Sequence, residues 1–339
     1  AGVPMTTELG RHGRQVLNAL ARGDKPFLLH LFYSTTHPPF GVEFPYYTLL
    51  SDPNYSGESK FVMSRLTEPF EIIRRQGQPK EEFDLDQILD LYDSCVSRFD
   101  AEVGRMLEHM EKSGLADNTV VVIYSDHGME FFEHNTWGQG NSAIGDFSPR
   151  VPLIIAGPGI RPGQHQEVVR SVDLMPTLLQ HAGIPLPPNL DGVSLAPALN
   201  GEPMPPLAAF NETGIWIADI PGLPDQHLHY PDLLELLEVP DRQSGTLAVK
   251  PEYDAVTILA KDRMIRSDRW KLVYQPLNEG YVLRLFDTLS DPNCECDISA
   301  GEPEVTGRLW ARLEAWMSQD PGVARPQGRN DTRDSSATR

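Results

Sequence analysis

The chain has 339 residues, 40% apolar and 23% charged, enough to bury a substantial core in one large or two medium domains. Acidic side chains outnumber basic ones by 48 to 29, and the net charge of −19 repels nucleic-acid backbones and anionic membrane surfaces, which argues against nucleic acid as a partner. Its three cysteines form neither a zinc-type pattern nor an even-numbered disulfide framework, and its apolar runs fall far short of the roughly 20 residues that span a bilayer, so no membrane span is expected.

An amphipathic helix is predicted over residues 7–21. The run Pro26-Phe27-Leu28-Leu29-His30-Leu31-Phe32-Tyr33 is almost continuously apolar and predicts a buried strand. It ends at His37-Pro38-Pro39, where the prolines stop ladder pairing. Residues 41–80, rich in Pro, Gly, Ser and Tyr, predict a surface excursion. A helix over 81–113 follows, with apolar groups at Ile88, Leu89, Tyr92, Val96, Phe99, Val103, Met106, Leu107 and Met110 forming one stripe and Gly114 as its stop.

The β-branched run at 119–124 predicts a strand leading into Ser125-Asp126-His127-Gly128, and helix followed by strand implies an α/β crossover. A second strand is expected at 151–155 and a helix at 173–182. The proline- and glycine-dense stretch at 184–206 places a boundary between an α/β catalytic domain, residues 1–205, and a C-terminal subdomain, residues 206–320. In that subdomain residues 263–267, 270–275 and 282–287 predict a small antiparallel sheet, closed by a helix at 305–317. Residues 321–339 are polar without hydrophobic period and predict a disordered tail.

In open α/β sheets, ligands bind at the carboxyl ends of the strands, where Asp126, His127 and His37 stand. Asp offers a hard anionic oxygen and His a neutral nitrogen, and an adjacent pair can hold one divalent ion if other segments complete the sphere. The same pair also fits an Asp-capped turn with a surface histidine, and His37 fits a turn histidine.

The stretch Tyr124-Ser125-Asp126-His127-Gly128, with Glu133-His134, Trp137-Gly138 and Arg150-Val151-Pro152-Leu153 at these spacings, resembles the sulfatase segment that supplies two metal ligands and then substrate contacts. Ser34 to Phe40, Asp173-Leu174-Met175-Pro176-Thr177, Asp191-Gly192-Val193-Ser194-Leu195 and Trp270-Lys271-Leu272-Val273-Tyr274 resemble further sulfatase segments in the family's order, over about residues 25–318. The resemblance implies an alkaline-phosphatase-like three-layer α/β sandwich with a mostly parallel sheet, plus the small antiparallel subdomain. It implies Asp126 and His127 as metal ligands, with Ca²⁺ as the ion and Mn²⁺ or Zn²⁺ as alternatives. It also implies His37 as the catalytic group that binds the sulfate and protonates the leaving oxygen, His134 in the same pocket, and a small-molecule or saccharide sulfate ester as substrate. A periplasmic or other extracytoplasmic location goes with the family.

Two departures qualify the resemblance. The family's nucleophile, a cysteine converted to formylglycine or a serine, lies in a Cys/Ser-x-Pro-x-Arg motif that this chain lacks, as it lacks the Asp-Asp pair of the other two metal ligands. A missing N-terminal segment, and hence a chain inactive alone, is the simplest expectation. Cys95-Val96-Ser97-Arg98 has no proline, lies within the long helix and predicts a structural cysteine. Gln139 stands where sulfatases often carry a sulfate-contacting lysine, and its amide donates hydrogen bonds without charge. Alternatives are a phosphodiester or phosphonate ester hydrolase, a phosphoethanolamine-type transferase, or a catalytically dead binding module. Residues 207–250 are expected to shape specificity.

Overall fold

The computed structural model describes residues 5–61, 78–216, 220 and 222–319. The predicted tail therefore lies outside the described residues, as does part of the 41–80 excursion. In chain order the main elements are α1 (Met5–Leu20), α2 (Leu85–Ser113), β1 (Val121–Tyr124), β2 (Glu130–Phe131), β3 (Trp137–Gly138), β4 (Leu153–Ala156) and α3 (Leu174–His181). They are followed by β5 (Ala208–Glu212), β6 (Leu237–Asp241), β7 (Thr246–Val249), β8 (Arg263–Ser267), β9 (Trp270–Pro276), β10 (Tyr281–Asp287) and α4 (Pro303–Met317). The chain folds into two compact units, one of residues 1–123 with 153–160, the other of 124–152 with 161–339.

In the first unit α2 ends at Gly114, whose left-handed φ of 74° lets its N–H cap the carbonyls of Met110 and Glu111. The buried face of α2 departs from the predicted stripe. Val96 and Leu107 are exposed, and the face runs through Ile88, Leu91, Cys95, Arg98 and Glu102. A charged pair can occupy it because the charges are matched: Arg98, fully buried, bonds Glu43 at 2.5 Å and Glu102 at 3.2 Å, and Glu102 also takes Arg14 at 2.5 Å and Arg105 at 3.0 Å. β1 and β4 pair as a two-stranded sheet. The expected strand at 26–33 runs extended without entering a ladder among the described residues, and Leu28 and Phe32 are 86% and 64% exposed. Among the described residues the predicted sheet is thus represented by the β1–β4 pair, because an apolar run states a preference for burial and supplies no partner.

The second unit carries an antiparallel sheet of order β10-β9-β8-β5. Its register follows the period of two: Ile265, Leu272 and Leu285 face each other in one row and pack with Leu309, Leu313 and Met317 of α4. The opposite face, with Met264, Val273 and Phe286, packs on Cys294 and Ala143. Phe210 stacks on Trp316 at 5.1 Å and Tyr274 on Trp310 at 5.5 Å, extending the helix-side core. The three predicted strands and the closing helix are present. β5, within the stretch assigned to specificity, is an additional edge strand paired to β8. Among the described residues no helix is long and apolar enough to cross a membrane.

Candidate active site

The turn after β1 is built by its own polar groups. Asp126 Oδ1 accepts the His127 N–H at 3.0 Å and the Ser125 hydroxyl at 3.3 Å, and that hydroxyl also reaches the His127 carbonyl at 2.8 Å. His127 Nδ1 lies 2.8 Å from the Gly128 carbonyl. A carbonyl can only accept, so Nδ1 carries the proton and Nε2 the lone pair. Nε2 is 3.6 Å from Asp126 Oδ2, and both side chains are open to solvent. Metal-binding histidines use this arrangement, one nitrogen donating to a carbonyl or carboxylate and the other free to coordinate. Gly128 N donates to the Ser148 carbonyl at 2.7 Å, and a Cβ on Gly128 would stand 2.0 Å from the Phe147 carbonyl oxygen, so the turn tolerates no side chain there. The donor set fits a divalent ion in part: among the described residues no third His, Cys, Asp or Glu joins the pair.

His37 belongs to the first unit, on the turn after the extended 26–33 segment. Its Nδ1 is 2.7 Å from the Pro38 carbonyl, which again leaves Nε2 with the lone pair. Phe40, fully buried with its ring 5.5 Å from that of Tyr92, anchors the turn. A cleft of about 440 Å³ opens beside it, lined by Met5, Phe32, Ser34, His37, Pro39 and Glu43 among others.

The other candidates belong to the second unit. The β2–β3 hairpin pairs Glu130 with Gly138 and Phe131 with Trp137 and is pinned by the buried Trp137 indole, 5.6 Å from Phe131 and 5.5 Å from Phe132. It presents half-buried His134, whose Nε2 is 2.6 Å from the Asn293 carbonyl, and exposed Gln139 directly after β3. Gly140 ties this loop down from both sides, its N–H donating to Ser148 Oγ at 2.7 Å and its carbonyl accepting from Gly214 N at 3.0 Å. The 207–250 stretch therefore abuts the loop that carries Gln139.

Sequence reasoning missed two charged groups near these residues. Glu130 is buried; Oε1 accepts the Ser142 N–H at 3.1 Å, while Oε2 makes no hydrogen bond, and burial pushes the carboxyl up to about 7. Lys271, fully buried in β9, donates to the Gly145 carbonyl and to Asp146 Oδ1 at 3.0 Å. A lysine set between Trp270 and the apolar run Leu272-Val273-Tyr274 is the signal that could have found it. Cys95 has the structural role expected of it: it is fully buried, and burial pushes its thiol up to about 12, far from a nucleophilic thiolate.

A family model described as Sulfatase matches residues 5–184. The chain belongs to the sulfatase family. Arylsulfatase K of Bos taurus is 30% identical over 235 residues, covering 69% of this chain and 37% of that protein. The yidJ structure from Bacteroides fragilis superposes with a TM-score of 0.67 at 20% identity, covering 94% of this chain and 59% of that one. A phosphonate monoester hydrolase structure from Silicibacter pomeroyi gives 0.64 at 24% identity, with 93% and 59% covered. These likenesses establish the alkaline-phosphatase-like fold. The sulfatase-family chain spans little more than a third of the length of arylsulfatase K.

Proposed function

We propose that the native protein hydrolyses a sulfate ester and that Asp126 and His127 are two donors of its metal site. The observation that carries this reading is the 3.6 Å approach of His127 Nε2, its lone pair freed by the Gly128 carbonyl, to Asp126 Oδ2 in a chain of the sulfatase family. A divalent ion bound there would polarise the ester oxygens and neutralise developing charge. Ca²⁺ goes with the family, and the imidazole nitrogen also suits Mn²⁺ or Zn²⁺. His37 is the acid in this reading: with its Nδ1–H held by the Pro38 carbonyl, Nε2 first takes up a proton and then passes it to the departing alcohol. His134 and Gln139 contact the ester.

The chain contains no Cys/Ser-x-Pro-x-Arg motif and no Asp-Asp pair, so in this reading the nucleophile and the remaining donors lie outside these 339 residues, which alone are inactive. The substrate is a small-molecule or saccharide sulfate, and the site works outside the cytoplasm. Neutral Gln139 supports a second reading, an ester of the same single charge but with two terminal oxygens in place of the three of a sulfate monoester, such as a phosphodiester. Mn²⁺ added to the ¹⁵N-labelled chain tests the metal donors. His127 imidazole signals should broaden first and Asp126→Asn should remove the effect; broadening that ignores residue 126 would contradict the assignment. Affinity should be weak, because two donors fall short of the roughly six to eight that Ca²⁺ takes.

A further inference from the structure

The loop after the β2–β3 hairpin is seated on the C-terminal sheet by one face of β9. Ala143 packs with Met264, Val273, Phe286 and Cys294, and Ile144 lies against the same group. The polar part of the seat is Lys271, whose ammonium is fully buried and donates to the Gly145 carbonyl and Asp146 Oδ1. Taking an ammonium out of water costs several kcal/mol unless its donors are met, so its bonds to this loop fix where the loop sits. Burial pulls the Asp146 carboxyl upward, but Lys271, with Arg266 and Arg150 nearby, holds it below the usual carboxylate range.

Gly145 lies directly against His134. A Cβ built on it would stand 3.1 Å from His134 Cδ2 and 2.7 Å from the Phe147 ring, and its φ of +75° already excludes most side chains. His134 Nε2 lies 2.6 Å from the Asn293 carbonyl, in the segment after β10. That carbonyl accepts only, so Nε2 holds the proton and Nδ1 the lone pair. Asn293 is in turn placed by its neighbour Cys294, buried in the same apolar group as Ala143.

We infer that Lys271 is a positioning residue for His134. Through Gly145 it holds the imidazole against the Asn293 carbonyl, so that Nδ1 is the nitrogen offered to a ligand. The C-terminal sheet is then the mount of this part of the site. The inference rests on the reading of His134 as a substrate contact for its purpose, but its test does not.

The test is the tautomer of His134 in the ¹⁵N-labelled 339-residue chain, from long-range proton–nitrogen spectra of the imidazoles, with the signal assigned by its loss in His134→Gln. The native chain should show one tautomer, protonated at Nε2. In Lys271→Met the ring should lose that restriction and exchange between both tautomers. Should Lys271→Met fail to fold, Gly145→Ala, which pushes on Cδ2 while leaving Lys271 in place, should give the same loss. Protonation at Nδ1 in the native chain, or an unchanged single tautomer in the folded variant, overturns the inference. None of these readings uses turnover, so failure of the proposed activity would appear separately.

Discussion

Glu130→Gln removes a carboxyl that folding buries at the start of β2, with Ser142 N–H on one oxygen. Desolvation raises the group from 4.5 to about 7 in the folded chain. An acid whose folded value is raised binds more protons folded than unfolded between those two values, so stability falls as pH rises through that window. Below about 4.5 both states are protonated and nothing is lost; above about 7 the full penalty stands. The shift of 2.5 units, from 4.5 to about 7, corresponds to about 3 kcal/mol at 1.36 kcal/mol per unit. Glutamine keeps the acceptor for the Ser142 N–H and carries no charge to desolvate. The variant should therefore be the more stable protein at pH 8, by up to about 3 kcal/mol, with the advantage fading toward pH 4.5. Urea unfolding followed by tryptophan fluorescence, native against variant at pH 5 and pH 8, measures the difference while other titrating groups cancel. An advantage of equal size at both pH values, or a loss at pH 8, would refute the assignment of Glu130 as the buried, proton-retaining acid.

Gln139→Lys distinguishes the two ester classes. If the site takes a sulfate monoester, with its third terminal oxygen toward residue 139, the added charge should strengthen anion binding by on the order of 1 to 3 kcal/mol; if it takes a phosphodiester, whose second ester group fills that place, the lysine meets no anionic oxygen and activity on the true substrate should fall. The ratio of catalytic efficiencies for aryl sulfate and aryl phosphodiester reads the sign, and an unchanged ratio would mean that residue 139 does not meet substrate. Cys296 is exposed while Cys95 and Cys294 are buried, with both buried thiols pushed up by desolvation, so a thiol reagent at pH 8 should modify Cys296 alone in the folded chain. Rapid modification of Cys95 would reopen it as a reactive residue.

Local pattern carried the elements whose burial is decided nearby. The segments 263–267, 270–275 and 282–287 located the C-terminal sheet to within a residue at each end, and Gly114 closed α2 where a left-handed residue was needed. What failed was pairing and charge burial at long range. The 26–33 segment has the side chains of a buried strand and no ladder among the described residues, while β5 looked like inserted chain until paired with β8 some 50 residues on. On α2 an apolar stripe was drawn through Val96 and Leu107 because hydrophobic period cannot register that Arg98 and Glu102 are buried as a matched network. Asp126 and His127 are singled out by their place after a strand and by the sulfatase resemblance, and the structure puts both on the turn after β1. The roles of Gly128, Glu130 and Lys271 arise from contacts made by folding, the Lys271 bond to Gly145 spanning 126 residues.

The central claim, that the Asp126-His127 turn holds the metal of a sulfate ester hydrolase, is tested most directly by turnover of an aryl sulfate by the protein at its native length. Native protein should hydrolyse the ester and lose activity to a chelator, with divalent metal restoring it. Asp126→Ala and His127→Ala should each abolish turnover while circular dichroism shows the fold intact, and the 339-residue chain alone should show none. Undiminished hydrolysis in either variant, or turnover by the chain alone that survives Asp126→Ala, would contradict the account.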